Sequence, residues 1–287
     1  VYSFPITMPE LPEVETVRRG LNQLTLNQKI IGGDVLLHRT VAHPDSVEKF
    51  IEGISKTNIT IWRRYGKYLL ANLSPVSSPS YLGVHLRMTG QLLWLNRDTA
   101  LHKHTRVRIF FENDYELRFV DQRTFGQMWW VEPEVKVEKV ITGLAKLAAD
   151  PFSPEFTVAY LAGKLKNSRR PIKTALLDQS IIAGLGNIYA DEALFLSGIR
   201  PETLCTDLKL AQIEKLHPAI IQVLTKSIEA GGTTFSNFLN VAGVNGNYGG
   251  EAWVYNRAAQ PCKVCATPIQ RTRLAGRSSH FCTECQK

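Results

Sequence analysis

The sequence lacks any apolar run close to the ~18 residues that a membrane-crossing helix requires, and its first eight residues have neither the charged start nor the apolar core of a signal peptide. A cytoplasmic protein without a membrane partner is therefore expected. No internal repeat is present, which excludes a solenoid, and no heptad or exposed apolar stripe argues against a monomer. Cysteine is scarce, five in 287 residues, and four of the five lie between 262 and 285. In a reducing compartment that crowding favours metal ligation over disulfides. Acids are also in short supply, 26 against 34 Lys plus Arg, giving a net charge of +8 and leaning toward a polyanionic partner. With 44% hydrophobic residues the chain is globular and long enough for more than one domain.

The most specific local pattern is Cys262-x2-Cys265 with Cys282-x2-Cys285. Two such knuckles put four thiolates around one tetrahedral ion, and four thiolates leave no position open for water, so a single structural zinc on a β-hairpin is expected. The module is basic: Arg257, Lys263, Arg271, Arg273, Arg277 and Lys287 stand against Glu284 alone. A solvated charged face is the plainer reading. A metal-stiffened hairpin carrying Arg277 between its knuckles favours contact with DNA. Cys205, outside the module, reads as a small apolar residue.

At the other end stands Met8-Pro9-Glu10-Leu11-Pro12-Glu13. Leu11, Val14, Val17, Leu21 and Leu24 have helical spacing, with Pro12 and acids in the first turn, so Pro9 and Glu10 are expected just outside a helix N-terminus. An internal proline nitrogen is an amide without nucleophilic character. A terminal one is a secondary amine of pKa near ~8 that can attack a sugar C1′ and form an iminium. Residues 1–7 would block that chemistry. The expectation is that Met8 is the initiator and is removed to free Pro9, with Val1 reflecting a GUG codon read as a start.

Residues 29–131 read as short strands, with Val107, Ile109 and Phe111 alternating and Asn113-Asp114 as a hairpin turn, which suggests a β-sandwich. Residues 134–150 read as a linker that begins a helix, and 154–231 as helical, with a stripe of Leu210, Ile213, Leu216, Ile220 and Leu224. The glycine-rich 241–250 reads as a mobile loop. Gly184-Leu185-Gly186-Asn187 reads as a tight turn with Asn187 as helix N-cap, an arrangement that also suits phosphate. Lys164, Lys166, Arg169, Arg170 and Lys173, with no acid among them, favour a phosphate clamp. Lys67, in a strand turn, is by itself a solvated residue. His104 alone is more often structural. Met88 and Phe125 are either core or, with a neighbouring arginine, an apolar wedge of the kind that enters a base stack.

Pro9 to Thr16, Gly66-Lys67-Tyr68-Leu69, His85 to Met88, Arg123-x-Phe125-Gly126, Gly184 to Ala190 and the four-cysteine finger, in this order, resemble the bacterial formamidopyrimidine-DNA glycosylases from Met8 to Lys287. The resemblance implies an α+β multidomain chain: a catalytic β-sandwich flanked by helices over 9–133, a helix–two-turn–helix DNA-binding domain over 134–252 with a lesion-covering loop, and a zinc finger over 253–287, with 1–8 an extension and DNA in the cleft between. It implies a bifunctional glycosylase/AP lyase, a hydrolase of N-glycosyl bonds acting on double-stranded DNA that holds oxidised purines or abasic sites. Pro9 is then the nucleophile, Glu10 the general acid, with Glu13 supporting them. Lys67 and Arg277 are the proton donors of β- and δ-elimination. His104, Arg123 and Asn187 contact DNA; Met88, Arg123 and Phe125 fill the gap left by the flipped base; and Arg169 is the choice for the phosphate-binding cation. The residue after the wedge arginine, often basic in the family, is Thr124 here. The rival readings are an endonuclease VIII-like preference for oxidised pyrimidines and, if Pro9 stays internal, a lesion-binding protein that does not cleave. A zinc-finger transcription regulator is more distant, since nothing resembles a recognition helix paired for dimeric half-sites.

Overall fold

The computed structural model describes residues 8–74, 79–233, 240–244 and 246–287. The chain divides into two compact units, one comprising residues 1–145 with 230–247, the other 146–229 with 248–287. The α+β architecture expected from the sequence is found: a β-rich first unit, and a second unit that holds helices and the finger. No helix among the described residues is long and apolar enough to cross a membrane.

The first unit opens with helix α1 (Leu11–Leu24), followed by strand β1 (Ile30–Val35), β2 (Val41–His43), helix α2 (Val47–Ile54), β3 (Asn58–Tyr65), β4 (Tyr68–Ser74), β5 (Ser80–His85), β6 (Gly90–Asn96), β7 (Thr105–Phe111), β8 (Tyr115–Asp121), β9 (Gln127–Val131) and the short α3 (Val137–Val140). Two sheets form, one in the order β2-β9-β5-β4-β3 and the other β1-β7-β8-β6. Alternating side chains of both enter one core: Leu82 and Val84 from the first, Leu92, Ile109 and Phe119 from the second. Leu11, Val14, Val17 and Leu21 bury one face of α1 while Leu24, the last of the stripe, stays exposed. Asn22 pins α1 to β3 by a two-way bond to the Trp62 backbone, 3.0 and 2.9 Å.

Helix α2 was not expected in a stretch read wholly as strands. It starts at Ser46, whose hydroxyl accepts the Lys49 amide at 3.2 Å, and buries Phe50 and Ile54. A second surprise lies in β8, where Glu116 and Arg118 are buried side by side. Arg118 donates to Glu116 at 2.6 Å and to the Ala100 and Thr99 carbonyls at 2.9 Å each, so both of these buried charges have partners.

In the second unit, α4 (Val158–Leu165), α5 (Ile172–Leu176), α6 (Asn187–Ser197) and α7 (Leu210–Glu229) precede the hairpin β10 (Gln270–Leu274) and β11 (Arg277–Phe281). The α7 stripe is buried at Ile213, Leu216, Ile220 and Leu224, but Leu210 is exposed because it stands at the open first turn. The hairpin turns at Ala275-Gly276, φ 45° and 80°, the paired left-handed residues of a two-residue β-turn.

Candidate active site and nucleic-acid interface

Pro9 and Glu10 are both buried ahead of α1. Glu10 is the helix cap, and Glu13 closes a capping box by accepting the Glu10 amide at 2.8 Å. The other Glu13 oxygen accepts the amide of Thr233, 220 residues away, at 2.9 Å. One buried carboxylate thus ties the Pro9–Glu10 backbone to the segment that leads toward the glycine-rich loop. Within that loop, Val241 is buried and its carbonyl accepts the Trp94 amide at 2.9 Å. Gly246 lies so close to the Gly232 backbone that a Cβ there would stand 2.4 Å from the Gly232 oxygen. Asn245 falls outside the described residues.

Glu15, also in α1, binds Arg18, Arg19 and Arg64 at 2.7, 3.0 and 3.1 Å. Its burial alone would raise its pKa, but the Arg18 hydrogen bond and charge, with Arg19 and Arg64, hold it below the usual carboxylate value. Arg64 also donates to the Gly66 carbonyl at 3.2 Å. Gly66 takes φ 54° in the turn between β3 and β4, and Lys67 follows it, 7% exposed. The lysine turn is therefore joined to α1 through Arg64. Burial, then the charges of Arg87 and Lys67, depress His85 to about 3. It is neutral near pH 7, and its Nδ1 accepts the Arg87 amide at 2.9 Å.

Met88, His104, Arg123 and Phe125 gather at one edge of the sandwich. Gly90 pairs with Asp121 between β6 and β8, and His85 with Gln127 between β5 and β9, so the two turns carrying Met88 and Phe125 lie side by side. Arg87 bridges them with a 2.8 Å bond to Gln127. Met88 is half-buried, Arg123 exposed, and Phe125 51% exposed with the Arg123 guanidinium 5.2 Å from its ring centroid. His104 is joined through its carbonyl, which accepts the Asp121 amide at 2.9 Å. Partial desolvation, then Lys103 and Arg106, lower the His104 pKa. The central residue, Asp121, is 1% exposed, where its local sequence marks only the end of a strand before a turn. Its acceptors face the Thr89 hydroxyl and the Arg123 and Gly126 amides, the last at 2.7 Å.

In the second unit, Gly186 and not Asn187 caps α6; Asn187 is the first helical residue. The cap position needs extended backbone, which Gly186 adopts at φ −138°, ψ −163°. Asn187 Nδ2 faces the Ser278 hydroxyl at 3.5 Å, and its buried Oδ1 has no hydrogen-bond partner among the described residues. Lys173 corrects the expected cation clamp. It is 1% exposed, paired with Asp191 at 2.7 Å and bonded to the Ser278 carbonyl. Of the other four cations, Arg170 pairs with Asp178 at 2.9 Å, Lys164 donates to the Ser180 carbonyl at 3.2 Å, and Lys166 and Arg169 are exposed. Asp191 also receives the His280 amide at 2.9 Å. Its neighbour Glu192 accepts three successive amides, from Trp253, Val254 and Tyr255, at 2.7 to 2.9 Å. Even so, burial raises the Glu192 pKa. Helix α6 thereby anchors the finger, and Arg277 stands exposed at the start of β11, next to the anchored Ser278.

The four cysteine sulfurs lie within 4.8 Å of one another, with Cys262–Cys285 at 3.9 Å and Cys265–Cys282 at 3.4 Å. Tetrahedral Zn–S bonds of about 2.3 Å put sulfurs about 3.8 Å apart, so the donor set fits zinc. Hydrogen bonds from Thr267 draw Cys265 down to about 6, whereas desolvation and the neighbouring thiols push Cys285 up. Four thiolates at this spacing require a cation.

Comparison with known proteins covers nearly all of the chain. Residues 8–128 match the family model of the formamidopyrimidine-DNA glycosylase N-terminal domain, 147–238 that of its H2TH domain, and 259–287 the zinc finger found in FPG and IleRS. The formamidopyrimidine-DNA glycosylase of Nostoc punctiforme is 77% identical over 279 residues, 97% of this chain and 96% of that protein. Its counterpart in Trichodesmium erythraeum is 62% identical over 300 residues, 98% and 100%. Among solved structures, the Lactococcus lactis Fpg bound to abasic-site DNA has a TM-score of 0.87 and 34% identity, covering 97% of this chain and 99% of that one. The wild-type Lactococcus lactis FPG with DNA containing an oxidised pyrimidine gives the same score and identity, covering 97% and 100%.

Proposed function

The chain belongs to the formamidopyrimidine-DNA glycosylase family, and we propose that it excises oxidised purines, 8-oxoguanine and formamidopyrimidines, from double-stranded DNA and then cleaves the strand by β,δ-elimination. The observation that carries this reading is the buried Pro9–Glu10 pair at the head of α1, held by Glu13. The mechanism requires a mature chain that begins at Pro9. The proline nitrogen attacks C1′ while Glu10 protonates the opening sugar, and the base departs. Lys67 serves β-elimination and Arg277 δ-elimination. His104, Arg123 and Asn187 contact DNA, Arg169 is the choice for the phosphate-binding cation among the exposed ones of its stretch, and Met88, Arg123 and Phe125 fill the vacated stack. The structural zinc on Cys262, Cys265, Cys282 and Cys285 keeps Arg277 on a stiff hairpin. The division into 9–133, 134–252 and 253–287 assigns chemistry to the first segment and DNA grip to the other two. A monomer working at the nucleoid of the cytoplasm suits such a substrate.

The test is borohydride trapping on a duplex with one 8-oxoguanine opposite cytosine, using protein whose N-terminus has been read by mass spectrometry. A covalent adduct from a Pro9 terminus is expected; an adduct of equal yield from a Val1 terminus would overturn the nucleophile. The solved complex of a relative with oxidised pyrimidine in its DNA favours a second reading, pyrimidine lesions as further substrates. The same trapping on a thymine glycol duplex separates the two.

A further inference from the structure

We propose that Asp121 is the positioning residue that sets the stack-filling side chains in register before DNA arrives, an inference that rests on the glycosylase reading above. Five polar contacts converge on this residue. One carboxylate oxygen accepts the Thr89 hydroxyl and the Arg123 amide, the latter at 3.2 Å; the other accepts the Gly126 amide at 2.7 Å. Its own amide donates to the His104 carbonyl at 2.9 Å, and its carbonyl accepts from Arg106 Nε at 2.8 Å. The three segments so joined carry Met88, His104, and Arg123 with Phe125.

The turns are not in relaxed conformations. Arg87 and Thr124 both take left-handed backbone, φ 54° and 58°, at positions without glycine. Such residues persist only where the surroundings hold them, and Asp121 supplies bonds on both sides: Thr89 follows the Arg87 turn, Arg123 and Gly126 flank Thr124. A wedge has to replace a departing base in one step, so side chains on separate turns gain from being fixed beforehand. A buried carboxylate bound to backbone amides does this without occupying the surface that DNA contacts.

A purely structural role would depress every activity alike. A positioning role affects base extrusion far more than reaction at a sugar that has no base to extrude. In Asp121→Asn, either orientation of the amide turns an NH2 group toward a backbone N–H, so that one donor loses its acceptor. Thr89→Val removes the hydroxyl alone, and Thr89→Ser restores it. Single-turnover excision is measured on an 8-oxoguanine duplex with 2-aminopurine beside the lesion, and borohydride trapping on the same duplex with a preformed abasic site. Asp121→Asn and Thr89→Val are expected to slow excision and the 2-aminopurine signal together by about ten- to hundredfold, the size of one lost charge-assisted bond. Thr89→Ser is expected to recover most of that loss, with abasic trapping nearly unchanged throughout. Equal losses on both duplexes, or no loss on 8-oxoguanine, would overturn the proposal. If Asp121→Asn fails to fold, the Thr89 pair decides. Absence of excision and trapping by the unaltered protein would instead overturn the glycosylase reading.

Discussion

In the sandwich, 23 buried apolar side chains, nearly all from two sheets and two helices, close on one another. The finger offers only Val254, Cys262, Ile269 and Cys282 to a small buried cluster completed by Phe195 of α6, and β10 is exposed along most of its length. The sandwich is thus fixed mainly by apolar burial, which a chelator does not remove. The finger is fixed by four sulfurs and by two carboxylates of α6, and both depend on charge. Parts of one protein with comparable precision of shape should therefore fail under different conditions.

Zinc removal tests this most severely. A structural site of this kind contributes about 10–16 kcal/mol, far more than the finger's apolar cluster can replace. Chelation, or Cys282→Ser, is expected to abolish nicking of abasic DNA while the far-ultraviolet dichroism of the sandwich strands persists. Loss of both together would mean that the sandwich leans on the finger. Next in size is Asp191→Ala, which strands the Lys173 ammonium in a site 1% exposed. Breaking a buried pair from one side costs about 3–5 kcal/mol, so thermal melting should fall by roughly 10 °C. Lys173→Met with Asp191→Leu should recover much of it.

Acid sharpens the contrast, because the signs differ. His85 in the sandwich has its folded pKa depressed to about 3 from 6.5. Its stabilising contribution is complete above pH 6.5 and drains as pH falls, by up to about 1.4 kcal/mol per unit. Glu15, also depressed, adds to that loss below its unfolded value. Glu192 is raised by burial, so its contribution is complete below its unfolded value and is lost as pH rises through the folded one. In denaturant titrations, His85→Asn, which keeps an acceptor for the Arg87 amide, should flatten the acid limb. Glu192→Gln should lower stability by about 1–3 kcal/mol, and by less at higher pH. Changes of slope in the same direction would contradict this account.

The sequence was most legible where one short-range rule governs. Two cysteine knuckles, the 3.6-residue stripe of α1 and the alternation of Val107, Ile109 and Phe111 all act within a few residues. The helix α2 obeyed the same rule at Val47, Phe50, Ile51 and Ile54 and was hidden by the strands around it. What escaped depends on partners far along the chain. Lys173 reads locally as a surface cation, yet the carbonyl of Ser278, 105 residues on, accepts its hydrogen bond. Asp121 looked like the end of a strand, because Thr89 is 32 residues away. Glu13 was placed near the site by resemblance, yet nothing local indicated its bond to Thr233. Buried charge is specified by the whole fold, which a window of neighbours does not contain.

The smallest expected effect concerns Thr124, where the family often has a basic residue. A β-branched side chain at φ 58° is an outlier, costing about 1–2 kcal/mol against a residue suited to that region. Asparagine tolerates it, so Thr124→Asn should stabilise the sandwich by about 0.5–1 kcal/mol and raise its melting temperature by about 2 °C. The finger, measured by zinc release to a chelator, should be unaffected, since it belongs to the other compact unit. A gain in stability with unchanged excision would show that the strain is only tolerated. A gain accompanied by slower excision would show that the left-handed threonine, like the carboxylate beneath it, helps to keep the turn set.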